Sequence, residues 1–132
     1  MSEHPNAALH RKGHDAFARG DMDALTDMIA EDTVWHSPGK GLLSGDFRGR
    51  DAVFGEFFSK MDELSDGTAK FTEHQDYFGN DDRSVALGRF TATRNGKTEE
   101  VELCEVIRWR NGQIVEEWSY CDDQYRWDAL WS

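Results

Sequence analysis

Apolar positions along this chain keep a helical period first and a strand period afterwards. From about Asn6 to Arg19, Leu9, Ala16 and Phe17 are the apolar positions and Gly20 offers a left-handed stop, which predicts a first helix. Asp21 is placed to cap a short second helix, with Leu25, Met28 and Ile29 on one face. Thr33–Ser37, rich in β-branched and aromatic residues, reads as a short strand ended by Pro38-Gly39. The stretch Gly39–Gly49, with glycine at 39, 41, 45 and 49, reads as a long loop. Arg50 or Asp51 opens a third helix, whose Val53, Phe54, Phe57, Phe58 and Met61 form a stripe of the kind that packs into a core. Strands follow near Thr68–Phe78, Ser84–Arg94, Thr98–Arg110 and Gln113–Cys121, before an aromatic tail with Tyr125, Trp127 and Trp131.

Two Asn-Gly pairs, Asn95-Gly96 and Asn111-Gly112, flank the strand near Thr98–Arg110. Asn-Gly favours the two-residue type I′ turn, which needs φ > 0 at both positions, and so short a turn fixes the register of the strands it joins. Closing the first pair with Arg94 opposite Lys97 sets Phe90 against Val101, Gly88 against Leu103 and Ala86 against Glu105. Closing the second with Arg110 opposite Gln113 sets Trp109 against Ile114, Glu105 against Trp118, Leu103 against Tyr120 and Val101 against Asp122. One sheet face then carries small residues on one flank, aromatics on the other and acids between them. That pattern suits a lined cavity better than a filled core. Helices first and one antiparallel meander after them is an α+β arrangement, three N-terminal helices on a curved, mostly antiparallel sheet with a conical cavity between the layers.

Glu105 stands out, because it shares a strand face with Leu103, Ile107 and Trp109. Two readings apply. It bonds Trp118 or Tyr120 structurally, or it is a desolvated acid whose pKa burial raises until it donates a hydrogen bond near neutral pH. On the opposite face Val85, Leu87, Cys104, Val106 and Cys121 leave a half-apolar surface that predicts a homodimer through the open sheet.

At 132 residues the chain is one domain over 1–132. Its 15 basic residues against 26 acidic ones give a net charge of −11 with no basic run, which excludes nucleic acid and anionic membranes as partners. No apolar stretch is long enough for a membrane span, and the N-terminus lacks a charged-then-apolar leader pattern. Cys104 and Cys121 read as buried free thiols of a reducing compartment rather than a cross-strand disulfide, so the expected location is cytoplasmic. His10 and His14 have the i, i+4 spacing of a metal pair, but no third ligand is near in sequence. They read as two exposed histidines on a charged helix, and no metal and no cofactor is expected. Zinc-type Cys spacing, a Ser-centred elbow and a phosphate loop are missing from the sequence, and Gly39–Gly49 reads as a rim or lid beside the cavity.

The segments Ala16–Leu25, Ala30–Gly39, Leu43–Asp51 and Val106–Glu116 resemble the nuclear transport factor 2-like superfamily, and within it the SnoaL-like group that includes polyketide cyclases and ketosteroid isomerases. The resemblance spans nearly the whole chain and implies a cystatin-like α+β barrel. It says less about chemistry, because this fold hosts enzymes and non-enzymes. In the ketosteroid isomerases the general-base Asp falls on Ser37 here, the oxyanion-hole Tyr on Gly13 beside His14, and the neutral oxyanion-hole acid on Glu105. Two of the three positions are changed, which speaks against ketosteroid isomerase activity.

Candidate catalytic residues are therefore Glu105, His36 and Asp122, with Trp118, Tyr120, Ser37, Trp35, Leu103 and Phe90 as the walls that hold substrate. His36 can move a proton at physiological pH if the bend at Pro38 turns it inward; by strand alternation it is equally a rim histidine. Asp122 either pairs with an inward His36 or caps the C-terminal turn. Two functions follow. One is a cofactor-free acid–base enzyme of isomerase, cyclase or dehydratase type on an apolar, oxygenated small molecule. The other is a non-catalytic small-molecule binding or assembly module. A second titratable group within reach of ligand space opposite Glu105 separates them.

Overall fold

Pro5 at the first helical position, a His4 side chain accepting from the Asn6 N–H and a left-handed Gly20 (φ 70°) at the end delimit α1 (Pro5–Arg19). The computed structural model describes residues 3–72 and 75–132. Asp21 caps α2 (Met22–Met28), which is shorter than expected, because Ile29 already belongs to β1 (Ile29–Ser37). The glycine-rich stretch contains a short strand, β2 (Gly45–Arg48), paired antiparallel to β1. The third helix, α3, runs over residues 50–65 and is π-helical through Val53–Phe58. The strand expected over Thr68–Phe78 divides into β3 (Lys70–Phe71) and β4 (Asp76–Gly79), and Glu73 and His74 between them lie outside the described residues. Then come β5 (Arg83–Arg94), β6 (Lys97–Arg110), β7 (Gln113–Cys121) and a C-terminal helix (Gln124–Leu130) built from the aromatic tail.

The sheet order is β2-β1-β7-β6-β5-β3, with β4 also on β5. Only the β1–β7 pair is parallel among the described strands, so the sheet is mostly antiparallel and the helices cover its concave side. The core between the layers includes Phe90, Leu103, Ile107 and Trp109 from the sheet, Val53 and Phe57 from α3, Trp127 from the C-terminal helix and Trp131 just after it. Helix α1 lies so close to β4 that a Cβ on Gly79 would come within 2.9 Å of the Ala7 backbone nitrogen. No described helix is long and apolar enough to cross a membrane.

Both Asn-Gly turns form, with Asn95 and Asn111 at φ 53° and 52°. The first hairpin has the register read from the sequence: Phe90 opposes Val101, Gly88 opposes Leu103 and Ala86 opposes Glu105. The second hairpin departs from it. Arg110 pairs with Gln113 and Trp109 with Ile114, but Arg108 then pairs with Glu116, leaving Val115 as an extra, bulged residue. Ile114 and Val115 are consecutive and both buried, which a regular strand cannot achieve on one face. The bulge resolves that conflict and slips everything beyond it by one residue. Glu105 therefore opposes Ser119; Trp118 opposes Val106 and Tyr120 opposes Cys104, both on the convex face. Asp122 exchanges hydrogen bonds with the Glu102 backbone, and the residue that caps the last helix is Asp123. Cys121 moves beside Leu103, on the face opposite Cys104, and both thiols are free.

Trp131, which ends the C-terminal helix, is fully buried, whereas Tyr125 within that helix is 90% exposed. Trp131→Ala is expected to cost about 3–5 kcal/mol and Tyr125→Ala under about 0.5 kcal/mol in urea unfolding. Equal midpoints for the two variants would show that the tail does not belong to the core.

Candidate functional site

Across the concave face, one row of the sheet reads Ser37 on β1, Ser119 on β7, Glu105 on β6, Ala86 on β5 and Tyr77 on β4. Ala86 is too small to cover Glu105, and α1 fills that room with two histidines. His10 Nε2 and His14 Nε2 each lie 2.8 Å from Glu105 Oε1. His10 is 1% exposed and the His14 side chain 10%, so neither is the exposed histidine that the charged composition of α1 suggested. The buried side of α1 is the row Ala7, His10, Gly13, Ala16, at i, i+3 spacing, and His10 is its one polar member.

The hydrogens in this cluster can be followed. The Trp109 indole N–H is only a donor, so it donates to Ser84 Oγ at 2.7 Å. The single Ser84 hydroxyl proton then goes to His10 Nδ1, 2.7 Å away and its one other partner among the described residues. His10 is thereby held as the tautomer whose Nε2–H donates to Glu105. On the other side the Tyr77 hydroxyl, its pKa pushed up to about 12 by burial, keeps its proton and donates it to His14 Nδ1 at 2.9 Å. That leaves His14 Nε2–H for Glu105, with the His14 ring stacked 4.0 Å from Phe71.

Burial alone would raise the Glu105 pKa, but the two imidazole N–H groups outweigh it and hold the carboxyl well below its ordinary range. Glu105 is therefore ionised, the reverse of the neutral acid expected from its position. Burial lowers the His10 pKa in spite of Glu105, so His10 stays neutral. The neutral acid is Glu117, which sequence reasoning missed because the undisturbed register turned it away. It is 3% exposed, and its pKa is pushed far up by burial, by the Glu105 charge and by a hydrogen bond shared with Glu105. Ser119 Oγ donates to Glu117 Oε1 at 3.2 Å. The result is two carboxyls sharing one negative charge, a pattern that separates an acid from a base at one pH.

These groups line a hollow whose other walls are mainly apolar. Ser37, Trp35, Leu103 and Phe90 line it together with Glu105. Trp118, Tyr120, Asp122 and His36 do not. His36 points to the convex side, stacked on Trp118 at 5.5 Å, with Nδ1 2.7 Å from Asp46 and Nε2 2.6 Å from Glu116. Both nitrogens face carboxylates, so both donate. Burial opposes the charge, but the bonds to Glu116 and Asp46 prevail and raise the His36 pKa. A charged imidazole so placed is a strut of the outer face.

His10, His14 and Glu105 offer three ligand atoms within 4.8 Å of one another, which is the donor set of a two-histidine, one-carboxylate metal site. The hydrogen directions speak against that use. A metal on His10 Nε2 would displace the proton held there and leave the Ser84 hydroxyl without an acceptor among the described residues.

The SnoaL-like domain model matches residues 10–117, from the α1 histidines to Glu117. The chain belongs to the SnoaL-like domain family. Bal32a, from a soil-derived mobile gene cassette, is 35% identical over 96% of each chain with a TM-score of 0.89. A Xanthomonas campestris protein of unknown function with a cystatin-like fold is 32% identical, covering 95% of this chain and 96% of that one, with a TM-score of 0.88. An uncharacterised protein of Mycobacterium tuberculosis is 29% identical over 132 residues, the full length of both.

In this SnoaL-like domain the two acids shift stability in opposite senses. The folded-state pKa of Glu117 is raised, so its contribution is complete below the unfolded value of about 4.3 and is lost as pH climbs toward the folded value. Glu117→Gln should therefore flatten the decline in melting temperature between about pH 4.5 and 8. The Glu105 pKa is depressed, so its contribution is present above about pH 4.3, and Glu105→Gln should cost about 1–3 kcal/mol at pH 7. Thermal melts across that range check both, and parallel profiles for wild type and Glu117→Gln would refute the assignment.

Proposed function

We propose that this SnoaL-like domain is a cofactor-independent acid–base catalyst, of isomerase, cyclase or dehydratase type, acting on an apolar, oxygenated small molecule held in the cavity. The observation that carries the reading is the Glu105–Glu117 pair. Glu117 offers an O–H to a ligand oxygen, and ionised Glu105 accepts a proton from an adjacent carbon. Protonating Glu105 removes the charge that kept Glu117 neutral, so Glu117 ionises as it donates. The pair holds one proton before and after, which is what keto–enol exchange requires. His10 and His14 orient Glu105 throughout. A plain binding module calls for one polar anchor; a neutral acid and an imidazole beside a carboxylate favour catalysis.

The uncharged bicyclic ketone 2-tetralone provides a test. Wild-type protein in D2O should accelerate deuterium uptake at its C1 position, followed by proton NMR. Glu105→Gln and Glu117→Gln should each slow that exchange by about 10²–10⁴-fold. His36→Ala, on the far side of the sheet, should leave it unchanged. No acceleration over buffer by the folded wild type would sink the catalytic reading.

We also propose that the convex face joins two copies of the chain. Leu87 and Tyr120 are 37% and 57% exposed there, beside half-buried Val85, Cys104 and Val106. A patch of this kind commonly marks an interface, and symmetric dimers are the commonest assembly. Light scattering at micromolar concentration should report a dimer that Tyr120→Lys weakens. A monomeric mass for the wild type would overturn it.

A further inference from the structure

Ser37 Oγ and Trp127 Nε1 are buried without a hydrogen-bond partner among the described residues, and both residues line the cavity. Buried donors are nearly always satisfied, so two orphans facing one hollow call for an explanation. Trp127 is 3% exposed, with its ring 5.5 Å from Phe90 on the concave face. The C-terminal helix that carries it is tied to the loop directly after Ser37. The Lys40 N–H donates to Asp128 Oδ1 at 2.9 Å and the Leu42 N–H to the Trp131 carbonyl at 2.6 Å. One closure of the cavity therefore brings both donors to the same side. Ser37 lies two strands across from Glu105, about 10 Å along the sheet row.

The chemistry of these groups restricts what they can hold. An indole N–H only donates, and the Ser37 hydroxyl has its proton free to do so. Among the described residues no Lys or Arg lines the cavity, and its ionised group is Glu105. A carboxylate or phosphate there would find no counter-charge and a repelling one. A neutral oxygen would find two donors.

We infer that Ser37 and Trp127 form a second polar subsite, which takes an uncharged acceptor oxygen (ketone, quinone, lactone or ether) at the end of the cavity closed by the C-terminal helix. The inference rests on the proposal that the cavity is the ligand site, and it deepens it. The ligand is a ring compound with two oxygens, one for Glu117 and one for this subsite.

Binding of trans-decalin-2,6-dione and trans-2-decalone, which differ by the second carbonyl, tests the subsite without any turnover. The dione should bind about tenfold more tightly to the wild type, the scale of one added hydrogen bond or slightly more. The ratio should fall toward one in Ser37→Ala and in Trp127→Phe, which keeps an aromatic ring in place. Of the five tryptophan indole N–H signals, the one missing in Trp127→Phe should move in the wild type on addition of the dione. Decalin-2-carboxylate should bind more weakly than 2-decalone. Equal affinity for dione and decalone, no binding of either, or a ratio kept in both variants would overturn the subsite. Tighter binding of the carboxylate would overturn the uncharged class. A dione preference that persists while tetralone exchange is absent would sink the catalytic reading alone.

Discussion

One buried negative charge organises this fold. An ionised carboxylate in an apolar interior is very costly unless donors surround it, and Glu105 meets that cost with imidazole N–H groups from another layer of the molecule. Helix α1 is thereby fixed in register and in height over the sheet. His10 and His14 have to stand one turn apart on its inner side, and Ala86 below has to stay small. Gly79 has to stay bare where the helix backbone crosses β4. Each donor to Glu105 is in turn supplied from outside, His10 through Ser84 and Trp109 and His14 through Tyr77. A chain of donors running inward from two sides holds the resting carboxylate in its ionised form. Burial and that charge together keep its neighbour Glu117 neutral.

Much of this was legible in the chain and some was not, for identifiable reasons. The first hairpin could be computed because Asn95-Gly96 fixes its turn and the strands beyond it alternate cleanly. The second turn was equally clear, yet the strand after it was misread. The sign of trouble was the consecutive apolar pair Ile114-Val115, since two buried neighbours in one strand require a bulge. Missing it turned Trp118, Tyr120 and Asp122 inward on paper and hid Glu117. His10 escaped for a different reason. A histidine at helical spacing among charged residues looks solvated, and only its place in the small-residue row Ala7, Gly13, Ala16 marks it as buried. Its bond to Glu105 spans 95 residues, and local pattern carries no information at that range. The strand pattern had isolated Glu105 before the family resemblance also pointed to it, but the acid whose pKa is raised is its neighbour Glu117.

The bulge also decides how the sheet divides its labour. With the slip at Val115, the concave face receives Glu117 and Ser119 while the convex face receives Glu116, Trp118 and Tyr120. Glu116 then meets His36 and Arg108, and the Arg83 guanidinium lies 5.7 Å from the centre of the Trp118 ring. Ion pairs at this exposure contribute little to stability, so their main effect is on which surface the sheet presents. Without the extra residue, Glu116 would stand opposite Ile107 and face the cavity in place of Glu117, and Ser119 would turn to the other face.

Two carboxyls placed side by side in an apolar space can share one charge, and which of them carries it depends on where the donors are. Here both imidazoles point at Glu105 and a lone serine hydroxyl at Glu117, so the assignment follows from hydrogen-bond supply. The same supply argument explains why the cavity stays open. The groups that could close it by bonding to one another are already committed to the Glu105 network or stand as donors with no acceptor, Ser37 and Trp127. A hollow whose remaining polar atoms are almost all donors cannot satisfy itself by collapsing. It keeps room for a molecule that brings the acceptors.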